Sequence, residues 1–359
     1  MKFIHLADVH LGASPDAGKP WGENRGREIW NTFEGVMKSA KAKEVDLVLI
    51  AGDLFHRQPL LRELKEVDYL FSRLGNTQVV LIAGNHDCVS VNSYYNTFEW
   101  SENVHFIWEK DMTRIRLSLP SCRRPVDIYG FSYHDKTDTR RMYDHVSVVD
   151  QDAINILLGH GGDELHCPYS VPLVAKQGFD YVAFGHIHKA GMSETQAVAN
   201  VGSLEPLDET ETGVHGYILG EIDENKHCHM TFYNASYRQY VDTVISVNEA
   251  STNGSIQDVL RKKIEQCGSH NIYKVILKGE RSGEVEFDQD YLEAMGNVIV
   301  SDQTVPNYDL EKLYQENRDN LLGRYIERML EPGEQMTEKE KKALYYGVHA
   351  LLDTMEVGN

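Results

Sequence analysis

The sequence predicts a mixed α/β protein whose strands fill two sheets, and three observations predict it. Short apolar, β-prone runs alternate with helix-length segments over residues 1–100, the pattern of parallel strands joined by crossover helices. Strand-like runs then dominate residues 103–235, which calls for a second sheet. Five of the runs end in groups of acidic, amide or imidazole side chains, four of them beside glycine, so polar residues stand at the carboxyl ends of strands.

In chain order, strands are expected at residues 2–7, 47–51 and 79–83, with helices at 27–43 and 61–74 between them. Each strand is a near-continuous apolar run, as befits a strand buried on both faces. Strands at 104–108, 114–119, 126–131, 154–158, 181–184, 214–222 and 229–233 follow. Residues 135–149 lack apolar periodicity and are expected to form either a substrate-contacting loop over the site or a disordered segment. After Arg238 the pattern resets to a small β-α-β-α-β unit, with strands at 240–247, 273–278 and 298–300 and helices at 256–266 and 291–295. From there Leu310, Leu313, Tyr314, Leu321, Tyr325 and Met329 recur at helical spacing. Pro332-Gly333 interrupts that helix, and Thr337 with Glu340 makes a capping box for another, whose apolar stripe is Leu344, Val348, Leu351, Leu352 and Met355. These resets divide the chain into residues 1–238, 239–304 and 305–359.

The five polar groups are Asp8-Val9-His10, Gly52-Asp53, Gly84-Asn85-His86-Asp87, Gly159-His160-Gly161 and Gly185-His186-Ile187-His188. All five deliver their side chains to the rim where open α/β sheets bind ligands. Glycine beside nearly every one lets the backbone turn sharply. Carboxylate, imidazole and carboxamide donors without thiolate suit divalent cations such as manganese, iron or zinc, and argue against a structural zinc built on cysteine. One such segment alone is common, whereas five in this order point to a site for two metal ions.

Composition narrows the class further. Cys88, Cys122, Cys167, Cys228 and Cys267 are scattered without a Cys-x-x-Cys pair, which excludes a disulfide framework and a thiolate zinc site and fits a reducing compartment. Cys88, although beside the third group, is taken as a packing residue. No apolar stretch reaches membrane-spanning length and the first strand begins at residue 2, so a soluble cytoplasmic protein without a leader or membrane contact is expected. The formal charge of -19 argues against tight autonomous nucleic-acid binding, because Lys and Arg supply most non-specific affinity for phosphate. Local charge counts for more at a site, and its candidates are Arg57 and Arg62, Arg123 and Arg124, Lys136 with Arg140 and Arg141, and Lys189. Solvated faces and backbone contacts both stay open for Arg123-Arg124 and Arg140-Arg141, while Arg57 and Lys189 adjoin the motifs. His134, His145, Asp163 and His166 receive no role.

The five motifs resemble the signature of the calcineurin-like metallophosphoesterases, Asp-x-His, Gly-Asp, Gly-Asn-His-Asp/Glu, a glycine-flanked His and Gly-His-x-His. Within that superfamily, residues 4–12, 52–57, 185–189 and Gly202-Ser203-Leu204-Glu205-Pro206 are most similar to the SbcD-type DNA exonucleases and their YhaO-type relatives. Those proteins are nuclease subunits that pair with an SMC-like ATPase. The resemblance implies a four-layer α/β/β/α sandwich over residues 1–238, a small α/β capping domain over 239–304 and carboxyl-terminal helices over 305–359. The helices would either cap the protein's own core or bind the coiled-coil base of an SbcC-type ATPase.

By the same resemblance, one ion would be held by Asp8, His10, Asp53 and His188 and a second by Asp53, Asn85, His160 and His186. Manganese is the first choice, with iron and zinc as alternatives. The shared Asp53 would bring the ions to about 3.5–4 Å, where they clamp the attacking and leaving oxygens of a phosphodiester and activate water, so no Ser or Cys nucleophile is required. His86 would protonate the leaving 3′ oxygen, with Asp87 helping to orient it. His56 would reach toward the scissile phosphate, a solvated loop histidine being the alternative, and Arg57 and Lys189 would contact substrate. The implied activity is a DNA-repair phosphodiesterase, a 3′ to 5′ exonuclease with some endonuclease activity, acting as a homodimer with the ATPase. Two rivals stay open: a hydrolase of a small phosphodiester or phosphomonoester, which suits the acidic charge, and a weakly active binding subunit of an ATPase complex.

Overall fold

In the computed structural model, which describes residues 1–283, 285–330 and 336–356, the apolar runs become strands that are covered on both faces. β1 (Lys2–Leu6), β2 (Leu47–Ala51), β3 (Gln78–Ile82) and β4 (Val104–Phe106) are parallel neighbours. Antiparallel β11 (Gly216–Ile222) and β12 (Cys228–Asn234) extend that sheet beyond β1. The second sheet runs β5 (Thr113–Leu117), β6 (Val126–Gly130), β7 (Ile154–His160), β8 (Tyr181–Gly185), β10 (Val198–Asn200) and β9 (Gly191–Ser193). It is parallel from β6 to β10, with antiparallel edges.

Side chains sort by strand parity. Val48 and Ile50 of β2 share a core with Phe33 and Met37 of α1 (Gly22–Ala42) and with Val67 and Phe71 of α2 (Leu61–Ser72). Leu47, Leu49 and Ala51 instead share one with Ile156, Leu158 and Tyr181 of the facing sheet. The far face of that sheet, with Tyr129, Leu157 and Phe184, is covered by Tyr143, Val146 and the one-turn helix α3 (Val171–Val174). The result is a mixed α/β fold with two large sheets flanked by helices, in which loop supplies most of the fourth layer.

Two local departures from the expectations have identifiable causes, and one open alternative is resolved. The edge strand β9 and its neighbour β10 are three residues each, too short to carry an alternation signal. α1 starts at Gly22 rather than at residue 27, because Arg25 is fully buried. Its guanidinium donates to Asp16, Glu28 and the Pro206 carbonyl, a set of partners drawn from distant parts of the chain. Residues 135–149 form a pinned loop, since Asp138 N donates to Leu165 O at 2.9 Å, Val149 N donates to the Tyr129 hydroxyl at 2.9 Å and Tyr143 is fully buried.

The chain divides into the units Met1–Tyr240 and Val241–Asn359. In the second, β13 (Tyr240–Val247), β14 (Ile272–Ser282) and β15 (Val298–Asn307) form a sheet, and Ile256 and Leu260 of α4 (Asn253–Cys267) and Leu292 of α5 (Gln289–Glu293) share its core. β15 continues well past residue 300 because it pairs with β14 as far as Ser282 opposite Asn307. The helix expected from Leu310 is broken into α6 (Leu310–Glu316) and α7 (Leu321–Met329) by Asn320, whose Oδ1 caps α7 by accepting from Leu322 N and Gly323 N. Pro332-Gly333 lies outside the described residues. The Thr337–Glu340 capping box forms at the start of α8 (Glu338–Glu356), and Leu322, Ile326, Leu344 and Val348 make a core among these helices. Among the described residues, no helix is long and apolar enough to cross a membrane.

Candidate metal centre

Asp8 and His10 follow β1, Asp53 follows β2, Asn85 follows β3, His160 closes β7, and His186 and His188 follow β8. Four of them turn through the left-handed region that L-residues rarely adopt: Asp8 (φ +49°), His10 (+52°), Asp53 (+49°) and His186 (+92°). Strain of this kind persists only where the surroundings over-determine it, and it clusters at functional sites. Here Asp8 N donates to Gly52 O and His10 N to Asp53 O, each at 3.1 Å, so two strand ends brace one another. Two neighbouring glycines are needed for space: a Cβ on Gly52 would lie 2.4 Å from His160 Nδ1, and one on Gly84 would lie 2.2 Å from Asp53 Oδ1.

The side chains converge on two points. At the first, His10 Nε2 and His188 Nε2 are 3.1 Å apart, His10 Nε2 is 3.9 Å from Asp53 Oδ2, and His188 Nε2 is 3.9 Å from Asp8 Oδ1. Asp8 Oδ1 is buried without a hydrogen-bond partner among the described residues. At the second, His160 Nε2 lies 3.0 Å from Asn85 Oδ1 and 3.4 Å from Asp53 Oδ2, and His186 Nδ1 lies 3.2 Å from Asn85 Oδ1. Asp53 Oδ2 takes part in both. Ligand atoms about 2.0–2.2 Å from one cation sit roughly 3–4 Å from one another, which is the spacing found.

Hydrogen bonding at the back of each ring sharpens the fit. His160 Nδ1 faces Ala51 O at 2.8 Å and must donate to it, which leaves Nε2 of the neutral ring with a lone pair. His186 Nε2 donates to Asp163 Oδ2 at 2.7 Å, which leaves Nδ1 in the same condition. Both lone pairs then point at Asn85 Oδ1, another acceptor. A cation between them would satisfy all three acceptors, and the oxygen and imidazole donors fit a divalent ion.

The local fields agree. Burial lifts the Asp8 carboxyl above its usual range. Burial opposes ionisation of Asp53 as well, but His160 and His10 hold it well below the ordinary carboxylate range. His160 and His188, despite burial, are pushed up to about 9, the first mainly by Asp53 and the second mainly by Glu211 and Asp8. Protons thus compete for the places that cations fit.

At the rim, His86 and His56 are exposed and their rings stack with centroids 5.1 Å apart. His86 Nδ1 donates to the His56 carbonyl at 3.1 Å, and His86 N donates to Asp53 Oδ1 at 2.9 Å. Asp87 is fully buried, and its carboxylate accepts from Gly84 N, Phe55 N and the Tyr95 hydroxyl. It therefore acts on the loops that carry Asn85 and His86, while the His86 ring is oriented by the His56 carbonyl. Burial, then the Asp53 charge, pushes Asp87 up to about 7. Arg57 is held by a two-armed contact with Glu63 at 3.0 and 2.8 Å, and Lys189 is exposed beside His188. Arg140 and Arg141 are likewise engaged, by Asp138 with Asp111 and by Asp144. Cys88 is buried, shares a core with Phe131 and Tyr133, and its thiol is raised by that burial.

Two participants carried no signal in the sequence. Glu211 Oε1 accepts from His188 Nδ1 at 2.5 Å, and Asp163 accepts from both His186 and His166. Glu211 sits in Asp208-Glu209-Thr210-Glu211, which reads as a solvated acidic turn, and Asp163 follows two glycines. In the structure Ser203 Oγ donates to Glu211 Oε2, a contact between segments eight residues apart.

Comparison with known proteins gives these features a family. The calcineurin-like phosphoesterase profile matches residues 1–190. The protein named uncharacterized metallophosphoesterase YhaO of Bacillus subtilis is 29% identical over 304 residues, spanning 78% of this chain and 72% of that one. The DNA double-strand break repair protein Mre11 of Archaeoglobus fulgidus is 28% identical over 233 residues, 58% of this chain and 51% of its own length, so the chain spans about half of that relative. Mre11 of Methanocaldococcus jannaschii is 25% identical over 350 residues, 91% of this chain and 90% of that one. With the profile covering more than half of the chain and a centre of carboxylate, imidazole and carboxamide donors at its strand ends, the protein belongs to the calcineurin-like phosphoesterases, a family of hydrolases that bind divalent metals.

Proposed function

We propose that the chain is a two-metal phosphodiesterase acting on DNA, a 3′ to 5′ exonuclease with some endonuclease activity. The observation that carries the two-metal part is the shared Asp53 carboxylate, flanked on one side by His10 and on the other by the His160 and Asn85 acceptors. Asp8, His10, Asp53 and His188 would hold one ion, and Asp53, Asn85, His160 and His186 the other; manganese is the first candidate. The ions would supply Lewis-acid polarisation of the phosphoryl group and activation of water at neutral pH.

The chain's own residues do the rest. Asp87 and the Asp53 contact to His86 N fix the loop that presents His86. Because the His56 carbonyl takes the Nδ1 proton, His86 Nε2 is the nitrogen free to face the substrate. As the imidazolium, with one proton on Nδ1 and a second on Nε2, His86 would give the Nε2 proton to the 3′ oxygen as water adds to phosphorus and the P–O3′ bond breaks, and the other product retains a 5′ phosphate. His56, stacked on His86, would contact the scissile phosphate. Lys189 supplies positive charge at the rim, whereas Arg57 contributes only if substrate displaces Glu63.

DNA as substrate is supported by the SbcD-like motifs and by the relatives named as DNA double-strand break repair proteins. On the same footing the protein works as a homodimer with an SMC-like ATPase, and its free cysteines suit a reducing cytoplasm. A small-phosphoester hydrolase is the second reading, favoured by the charge of -19 and by arginines already matched with carboxylates. End-labelled duplex DNA incubated with manganese and either wild type or Asp53→Ala separates the two. A mononucleotide ladder lost in the variant supports the nuclease. Hydrolysis of small phosphodiesters without cleavage of DNA, with or without the ATPase, supports the second reading.

A further inference from the structure

The Gly185-His186-Ile187-His188 loop sets its two histidines a problem, because they must offer different ring nitrogens to the centre. His186 turns Nδ1 inward, 3.2 Å from Asn85 Oδ1, and His188 turns Nε2 inward, 3.1 Å from His10 Nε2. Each outward nitrogen meets a carboxylate: Asp163 Oδ2 lies 2.7 Å from His186 Nε2, and Glu211 Oε1 lies 2.5 Å from His188 Nδ1.

Both carboxylates are themselves anchored by their second oxygen. Asp163 Oδ1 accepts from Leu165 N at 2.8 Å and His166 N at 3.0 Å. Glu211 Oε2 accepts from Leu207 N at 3.0 Å and from Ser203 Oγ at 3.2 Å. A carboxylate can only accept, so each forces a proton onto the ring nitrogen it faces and leaves the opposite nitrogen as the donor to a metal. The backbone joins in at His188: Ser203 N donates to His188 O at 3.0 Å, and the Asn200 carboxamide donates to the carbonyls of Ile187 and Lys189 on either side.

We infer that Asp163 and Glu211 are a pair of positioning residues that impose opposite tautomers on His186 and His188, one for each metal. This rests on the two-metal reading above and adds to it the two residues that set the affinity of each site.

The test compares acceptor-free with acceptor-retaining variants. Wild type titrated with manganese chloride in a calorimeter should show two sites. Glu211→Leu and Asp163→Leu should each weaken one site by about 10- to 100-fold, the range expected when a histidine ligand loses its outer partner. Glu211→Gln and Asp163→Asn keep an oxygen that accepts, and should recover most of that loss. In zinc-loaded protein labelled with 15N-histidine, NMR should find His186 bound through Nδ1 and His188 through Nε2 in wild type and in the Gln and Asn variants. Leu variants with both manganese affinities unchanged would overturn the inference, as would Gln and Asn variants that lose the nitrogen assignment. Wild type that binds no manganese would overturn the two-metal reading itself, so the two failures are distinct.

Discussion

Gly84→Ala adds one methyl group next to Asp53, the carboxylate proposed to be shared by two metal ions. An ideal Cβ at Gly84 stands 2.2 Å from Asp53 Oδ1, 2.7 Å from Asp53 N and 2.8 Å from Asp53 Cγ, whereas ordinary contact begins near 3.4 Å. Asp53 must therefore retreat by roughly 1 Å, and a misplacement of that size costs about 100-fold in rate. Gly84 itself lies outside the positive-φ set, so alanine is tolerated by the backbone and the fold should survive. The assay is manganese-dependent hydrolysis of bis-p-nitrophenyl phosphate, with bound metal counted by mass spectrometry. Turnover should fall about 100-fold or more and metal content should drop below that of wild type. Gly35→Ala is the matched control: it lies inside α1, nothing among the described residues stands within 4 Å of its added Cβ, and the helix should gain about 0.5–1 kcal/mol with turnover unchanged. A Gly84→Ala protein with normal turnover and a full metal complement would refute the reasoning.

Three further perturbations separate chemistry from architecture. His86→Ala should lower turnover by about 10²- to 10⁴-fold, the usual worth of a general acid, with metal content unchanged; unaltered turnover would remove His86 from the acid role. Arg25→Ala should destabilise the protein by about 3–5 kcal/mol in urea unfolding, because it removes the buried guanidinium 3.6 Å from the fully buried Glu205, while Glu28 keeps its contact with Arg238. With His160 and His188 pushed up to about 9 in the metal-free protein, both rings are protonated at pH 7, so metal binding must expel protons and tighten as pH rises toward 9. Calorimetry in two buffers of different ionisation enthalpy reads the release directly, and heats independent of buffer would contradict it.

The strand ends were legible in the sequence because buried parallel strands and their exit glycines are both local signals. Leu47–Ala51 is apolar at every position and Gly52-Asp53 follows at once, so strand, turn and ligand lie within seven residues. Contacts between remote segments were not legible. Arg25 lies outside the helix expected from residue 27, and nothing near it in the sequence shows that Asp16, Glu28 and Pro206 close around it. Glu211 meets His188 only because Ser203 and Leu207 hold its other oxygen, and the acidic run around it offers no hint of that partner. How Asp87 could orient His86 was not legible either: its buried carboxylate accepts from Gly84 N and Phe55 N and so holds the loops rather than the ring. The split between α6 and α7 depended on an Asn320 cap, which a stripe of apolar residues at helical spacing conceals.

Crystals soaked in manganese and measured at its absorption edge test the central claim most directly. Two anomalous peaks about 3.5–4 Å apart are predicted, with Asp53 between them, Asp8, His10 and His188 around one, and Asn85, His160 and His186 around the other. A single peak, or two that do not share Asp53, would contradict the account.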